Sequence, residues 1–390
     1  MRGYEHSLKP LAISGEGPLT NFDISAISYA YPAVPGDDRA LLATTLGTVD
    51  TALARLAHAG IPAFVLSTCL RIEIAVPAPM ERLDETLLVI FGEVPAPTGF
   101  VRRSGTAAVE HIFRIVSGLE SPVVGEREIL VQFRQAVAAA AEHGSANGTF
   151  RGLLDAAIAT ARSVREELPA DPQRSMASIA AGLTQPASRV GVLGHGAMGK
   201  SIAEALLRLP ERPIVEVFAR RPESIDTAGV IPRSLSEARS ALMTLPAVIS
   251  ATSAKTRLVP ANELAHLLSA RSEPLTLIDM AMPPDFSPPD SLPVRYHDID
   301  DLAALARDHI PREGADRVVN EAAEGFMLKI QTGQRAGHII EKLFDQADDA
   351  ADEVVGRLAG RLSAPDDRAC LLYTSPSPRD RTRSRMPSSA

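Results

Sequence analysis

Two stretches of the chain carry residues of the types and spacing that do chemistry. The first is Leu66-Ser67-Thr68-Cys69-Leu70-Arg71-Ile72-Glu73, in which a cysteine ends an apolar run and a guanidinium follows two residues on. A cysteine beside an apolar strand is commonly an inert core residue. A neighbouring cation such as Arg71, however, lowers a thiol pKa and favours the nucleophilic thiolate. The second is Gly194-His195-Gly196-Ala197-Met198-Gly199, a G-x-G-x-x-G pattern between the strand-like RVGVL and a helical run. In that context Gly194 permits the tight turn, Gly196 lets a pyrophosphate approach the backbone, and Gly199 allows the helix to pack on the strand. The phosphates then sit at the helix N-terminus. The next strand-like run, IVEVFA, ends at Ala219 and is followed by Arg220 and Arg221. An NAD-specific site would place a carboxylate there on the ribose 2′-hydroxyl, whereas a guanidinium binds a 2′-phosphate bidentately. The cofactor expected is therefore NADPH, unless the two arginines are only a solvated turn. A thiolate beside NADPH is the chemistry of thioester reduction to an aldehyde.

Between these stretches lies SGLESPVVGEREILVQF, where Gly118 and Gly125 flank a turn with Ser121, followed by Glu126, Glu128 and Gln132. This polar loop before a helix reads as a binding surface. His111, on the preceding helical run, is expected to orient or polarise an acyl group, although a lone helical histidine is more often structural.

The elements that must position these residues fall into three regions. Up to Leu168, IPAFVLST and IEIAVP read as strands, and EHIFRIVSGL, EREILVQFRQAVAAAAEH and FRGLLDAAIATARSVREEL as helices. The segment PADPQRS marks a boundary. After it, helical ASIAAGL leads into strands RVGVL, IVEVFA, AVISATS and LTLIDMA alternating with helical runs, the mark of a doubly wound parallel sheet of Rossmann type. From about Arg312 to Arg361 the chain reads as two helices carrying one apolar stripe: Ile340, Leu343, Ala347, Ala351, Val354, Leu358 and Leu362. Such a segment cannot bury the stripe alone, so either a second subunit or the rest of the chain must cover it. The expected fold is thus α/β multidomain: an N-terminal α+β catalytic domain (1–168), a Rossmann-type NADP-binding domain with a parallel sheet (169–310) and a helical dimerisation region (311–363), expected to be truncated. Residues 1–20 read as a loose arm. The Ser/Pro/Arg-rich residues 364–390 read as a disordered, non-native tail resembling a translated sequencing adapter, and Cys370 is given no role.

Composition narrows the field. With 390 residues, 45% apolar and 23% charged, the chain is an ordinary globular protein of two or three domains. It has no run of about 18 apolar residues that would span a membrane and no signal-peptide core. Two cysteines make no disulfide framework, so the expected compartment is cytoplasmic, and no metal site is read. The net charge of −8 excludes non-specific binding of polyanions by the whole molecule. It leaves room for a local nucleic-acid patch. Residues 100–175 hold nine arginines and nine acidic residues, so none stands out along the sequence.

These motifs together resemble the glutamyl-tRNA reductase family. Its S-T-C-N-R-x-E motif is similar to Ser67–Glu73. The run H-x-x-R-V-A-S-G-L-D-S-x-V-x-G-E-P-Q-I-L-x-Q-V is similar to His111–Phe133, and G-A-G-x-M-G to Gly194–Gly199. The I-S-S-T-S-A, L-I-D-I-A-V-P-R-D and Y-x-x-D-D-L runs resemble ISATSA, LIDMAMPPD and Tyr296–Leu302. The resemblance covers roughly residues 22–360. It implies reduction of glutamyl-tRNA(Glu) by NADPH to glutamate-1-semialdehyde, the first step toward 5-aminolevulinate and tetrapyrroles. It also implies that Cys69 is the nucleophile, that His111 matters for activity, and that Thr68, Leu70, Arg71, Ser121, Glu126, Arg127, Glu128 and Gln132 form the substrate site, with Arg71 holding the substrate carboxylate. A V-shaped homodimer and transfer of the aldehyde to the aminomutase are further implications.

The chain departs from the family pattern at three places. Leu70 replaces the Asn after the cysteine, Glu126-Arg127-Glu128 replaces E-P-Q, and Ala26-Ile27-Ser28-Tyr29-Ala30 replaces G-[IL]-[NS]-H-[KR], so that a basic pair is lost. Two alternatives stand beside an active reductase. One is a catalytically impaired relative with a regulatory role. The other is a shikimate-type NADP dehydrogenase, which leaves the Cys69 and His111 segments without a purpose.

Overall fold

The first sheet is built of short strands, three of them buried and the fourth, at an edge, largely polar. The computed structural model describes residues 22–168, 175–254, 256–269, 271–287, 294–306 and 312–359. In it β1 (Ser25–Ala30) leads through α1 (Gly36–Leu46) and α2 (Val49–His58) to the hairpin of β2 (Phe64–Ser67) and β3 (Arg71–Val76). Then follow α3 (Met80–Phe91) and β4 (Val101–Ser104), and the antiparallel order is β2-β3-β1-β4. The register sets Ser28 opposite Glu73 and Tyr29 opposite Ile72. Since neighbouring side chains on a strand leave by opposite faces, Ser28 reaches Glu73 while Tyr29 is buried beside Phe91 and Phe100, its hydroxyl donating to the Pro95 carbonyl at 2.9 Å. The helices α4 (Gly105–Val116), α5 (Glu128–Glu142) and α6 (Gly148–Glu166) pack against one another, and α5 packs on β2. There Phe133 meets Phe64 with ring centres 4.8 Å apart.

The second sheet is built by strand–helix alternation. After α7 (Met176–Leu183) come β5 (Arg189–Leu193), α8 (Ala197–Leu207), β6 (Ile214–Ala219), β7 (Ile231–Ser234), α9 (Ala238–Thr244), β8 (Ala247–Ser250), α10 (Ala261–Ser269), β9 (Leu275–Asp279), β10 (Val294–Asp298) and α11 (Ile299–Leu305). All six strands are parallel in the order β10-β9-β8-β5-β6-β7, so the order reverses between β5 and β8. A crevice for a ligand opens at such a reversal. One apolar core covers a face of this sheet with Val190, Val192, Ile202, Leu206 and Val217, and Leu70 and Val123 from the first part of the chain belong to it.

The last region differs from the two helices expected. It is one helix, α12 (Glu313–Ala359), because no proline interrupts it and single glycines such as Gly325 and Gly333 cost only about 1 kcal/mol each. Residues Asp23–Phe326 form one compact unit and the chain from Met327 belongs to another. Within the first unit Ala315, Val319 and Ala323 are buried and Phe326 meets Phe113. Farther along, Ile340 and Leu343 of the expected stripe are half exposed and Ala347 is exposed. The side chains of Ala351, Val354 and Leu358, all of Leu362, residues 1–20, most of the PADPQRS boundary and the tail 364–390 lie outside the described residues. Among the described residues no helix is long and apolar enough to cross a membrane.

Candidate active site

Cys69 and Leu70 form the tip of the β2–β3 hairpin. The Thr68 amide donates to the Arg71 carbonyl (2.9 Å), and the Leu70 amide donates to Thr68 Oγ1 (3.3 Å). Together they hold the half-buried thiol against a narrow pocket. Its walls include Thr68, Cys69, Leu70 and Arg71 from the hairpin and Ser121, Glu126, Glu128 and Gln132 from the polar loop and α5, with Met176 and Met198 from the nucleotide-binding part. The free volume is about 20 Å³, room for roughly one water, so a glutamyl chain must part the walls to enter. Eight of the residues expected for substrate and nucleophile thus converge. Arg127 is exposed at the start of α5, and neither it nor His111 is part of the pocket wall.

Arg71 lowers the thiol pKa as expected, but burial outweighs it. Burial pushes the Cys69 thiol up to about 12, Glu126 adds to the rise, and Arg39 and Arg71 only partly offset it. Arg71 is itself buried and engaged: Nη1 lies 3.4 Å from Glu73 Oε1, and Nη2 donates to the Glu120 carbonyl. Glu73 also accepts from Ser28 Oγ (2.9 Å) and pairs with His111 Nε2 at 3.1 Å. His111 thus contacts Glu73, which in turn contacts Arg71. Glu126 lines the same pocket as the thiol. Burial first, and Glu128 second, raise its carboxyl to about 7, against a hydrogen bond from Ser121.

The second site is a cleft of about 940 Å³ at the reversal of strand order. It is lined by Gly194–Met198, by Ala219–Arg221 and Ser224, and by Ala251–Ala254 with Leu258. Gly194 has φ +102°, and a Cβ on Gly199 would strike the Gly194 carbonyl, so both must be glycine. Gly196 caps α8 without a side-chain bond and faces open space, which leaves amides free for an anion. The last residue of β6 is Ala219, and Arg220 and Arg221 beyond it are exposed. These residues fit a pyridine dinucleotide. His195 leans on Thr227 Oγ1 at 3.1 Å. Among the described residues, Met198 is the one that lines both the cleft and the thiol pocket.

Comparison with known proteins adds to this geometry. Residues 27–168 match the family model described as glutamyl-tRNAGlu reductase, N-terminal domain, and residues 176–305 match that of shikimate / quinate 5-dehydrogenase. A glutamyl-tRNA reductase of Rhodopirellula baltica is 30% identical over 313 residues, 73% of each chain. The chain belongs to the glutamyl-tRNA reductase family. A glutamyl-tRNA reductase of Solibacter usitatus is 28% identical over 334 residues, 78% of this chain and 79% of that one. A solved glutamyl-tRNA reductase from Methanopyrus kandleri aligns over 87% of both chains at 24% identity with a TM-score of 0.43.

The structure adds one residue that none of the quoted motifs contains, Arg39, and it gives buried partners to several that lie within them. Arg39 of α1 is fully buried. Its Nη1 donates to the Cys69 carbonyl at 2.8 Å, its Nε to the Val34 carbonyl at 3.2 Å, and its Nη2 to Asp300 in the first turn of α11. The Leu70 carbonyl accepts from the Tyr31 amide (2.9 Å), and the Arg39 guanidinium lies over the Tyr31 ring. The cysteine turn is thereby fastened to both sheets. Asp285 is equally hidden: its carboxylate takes hydroxyl bonds from Ser250 (2.6 Å) and Thr252 (2.8 Å), fixing the cleft wall after β8. The Tyr29 departure turns away from the pocket, whereas Leu70 and Glu128 line it.

Proposed function

We propose that the protein reduces glutamyl-tRNA(Glu) to glutamate-1-semialdehyde with NADPH through a thioester on Cys69, the first step of the five-carbon route to 5-aminolevulinate. The observation that carries this reading is Met198, which forms part of the wall of the thiol pocket and of the dinucleotide cleft. The Cys69 sulfur attacks the glutamyl carbonyl while its proton passes to Glu126, whose carboxyl near 7 suits proton transfer at neutral pH. The ester C–O bond breaks, and the terminal ribose oxygen leaves with a proton. Arg71, held by Glu73 and His111, faces the side-chain carboxylate of the glutamyl group, and Thr68, Ser121 and Gln132 offer it hydrogen bonds. When bound, the nicotinamide supplies the hydride that reduces the thioester carbon. The C–S bond then breaks, the aldehyde is released and the Cys69 sulfur recovers a proton.

Arg220 and Arg221, with no acid at the β6 tip, support NADPH over NADH. The assignments 1–168 to catalysis, 169–310 to the cofactor and 311–363 to a homodimer belong to the same reading. So does a transient complex that hands the reactive aldehyde to the aminomutase. The impaired-relative reading draws on the departures at Leu70, Tyr29 and Glu128 and on the burial that raises the Cys69 thiol. One experiment separates the two: labelled glutamyl-tRNA is incubated with the protein without NADPH and covalent label is counted. Wild type is expected to retain label and Cys69→Ser to lose it, since a hydroxyl is a far weaker nucleophile. Label retained by Cys69→Ser refutes the nucleophile, and no label on wild type favours the impaired relative.

A further inference from the structure

An acidic molecule that takes a polyanionic substrate needs a local basic surface, because its overall field repels the ligand. Such a surface forms beside the loop whose Glu126 and Glu128 line the thiol pocket. On α5, Arg127 and Arg134 stand seven residues apart, two turns along one helix face and about 10 Å along the axis. The connection from α5 to α6 is only the five residues 143–147, which folds α6 back along α5 as a packed antiparallel neighbour. Arg165, in the last turn of α6, is thereby returned to the start of α5. Arg165 lies close to both other guanidiniums: it is held below its usual range by desolvation first and then by repulsion from Arg127 and Arg134. All three are exposed, and among the described residues none has a carboxylate in ion-pair contact. Three like charges kept together without counter-charge cost free energy, and that cost is met when an anion arrives.

The neighbouring groups agree with such a ligand. Arg127 caps the 15-residue α5 with no side-chain bond to its amides, so the positive end of the helix adds to the patch. Glu126, Glu128 and Gln132, in the same loop and first turns, line the thiol pocket. Glu167, which follows the patch on α6, lies against Gly314. We infer that Arg127, Arg134 and Arg165 form a phosphate-binding track for the acceptor end of the tRNA whose aminoacyl group enters the Cys69 pocket. The span of about 10 Å matches about three nucleotides of one stacked strand. This inference rests on the proposed substrate.

The test is equilibrium binding of glutamyl-tRNA to the full chain over a range of salt concentrations. The proteins compared are wild type, the triple variant Arg127→Ala/Arg134→Ala/Arg165→Ala, and the triple Lys variant. Each lost phosphate contact lowers the slope of log K against log salt by about 0.7–0.9. The alanine triple is expected to lose about 2 in slope and about 10-fold or more in affinity at low salt. The lysine triple is expected to keep most of both, and uncharged tRNA to compete, because the track reads backbone. Unchanged NADPH affinity shows the alanine triple folded; if it fails to fold, the single variants Arg134→Ala and Arg165→Ala each give the slope loss. Salt-dependent binding by wild type with no change in the variants overturns the track alone. Absence of tRNA binding by wild type overturns the track and the proposed substrate together.

Discussion

At the scale of single residues, the charge beside Cys69 is set by carboxylates as much as by arginines. Glu126 has its carboxyl raised to about 7 by burial first and by Glu128 second. If Glu126 takes the thiol proton it must be ionised, so thioester formation rises as pH climbs through that value. Glu128→Gln removes the like charge and leaves the burial, and so lets Glu126 ionise at lower pH. The acid limb of the single-turnover rate is therefore expected to move to lower pH in Glu128→Gln, and to disappear in Glu126→Gln with a rate loss of about 10²-fold or more. A pH profile that Glu128→Gln leaves in place would remove Glu126 from the proton path. The glutamate at 128, where the family pattern has glutamine, is on this view a tuning of the pH range.

At the scale of elements, the decisive contacts are those that tie α1 and α11 to the hairpin tip. Asp300 is the carboxylate partner of a fully buried guanidinium. Removing one partner of a buried pair leaves an uncompensated charge and costs 3–5 kcal/mol where both are buried. Asp300 is about one-third exposed, so water replaces part of what is lost and about 1–3 kcal/mol is expected for Asp300→Ala. Denaturant unfolding measures it, and a midpoint equal to wild type would mean that Arg39 needs no partner. The same residues mark where the sequence stops being legible. Glycine spacing and strand–helix alternation are local, so the parallel sheet and the dinucleotide loop can be read directly. The Cys69 segment is also local. Arg39 stands 30 residues from Cys69 and 261 from Asp300, and Glu73 stands 38 from His111. Those pairings follow from α1 packing on β3, from α4 packing on β1 and from the contact of α1 with α11, and no periodicity announces them. The same holds for the arginine track, where two helices contribute charges that balance against acids when counted along the chain.

At the scale of the whole molecule, α12 carries side chains that its own turns do not cover. Leu328, Ile339, Ile340, Leu343 and Phe344 are all 46–64% exposed. Each apolar side chain that becomes fully buried contributes about 1.5–3 kcal/mol, so several together suffice for a stable pair of helices. Truncation after Phe326, which keeps the unit Asp23–Phe326 entire, is expected to give a monomer in light scattering that still binds NADPH. A dimer surviving the truncation would place the interface on that unit.

Leu70 ties the Cys69 turn to the core of the nucleotide sheet. In the family pattern its place is held by asparagine. Here the side chain is 6% exposed and belongs to one apolar cluster with Val123, Met176 and Ala177. Restoring asparagine would remove apolar contacts and bury an amide beside the nucleotide sheet, at a cost of about 2–4 kcal/mol. Leu70→Asn should therefore unfold at distinctly lower denaturant than wild type, and an unshifted midpoint would show that the loop accepts the amide as it stands. The core around this position is fitted to leucine. The route to asparagine runs through Val123 or Met176 first, and a designer who wants the family's amide at this turn must rebuild the neighbouring core before touching the loop.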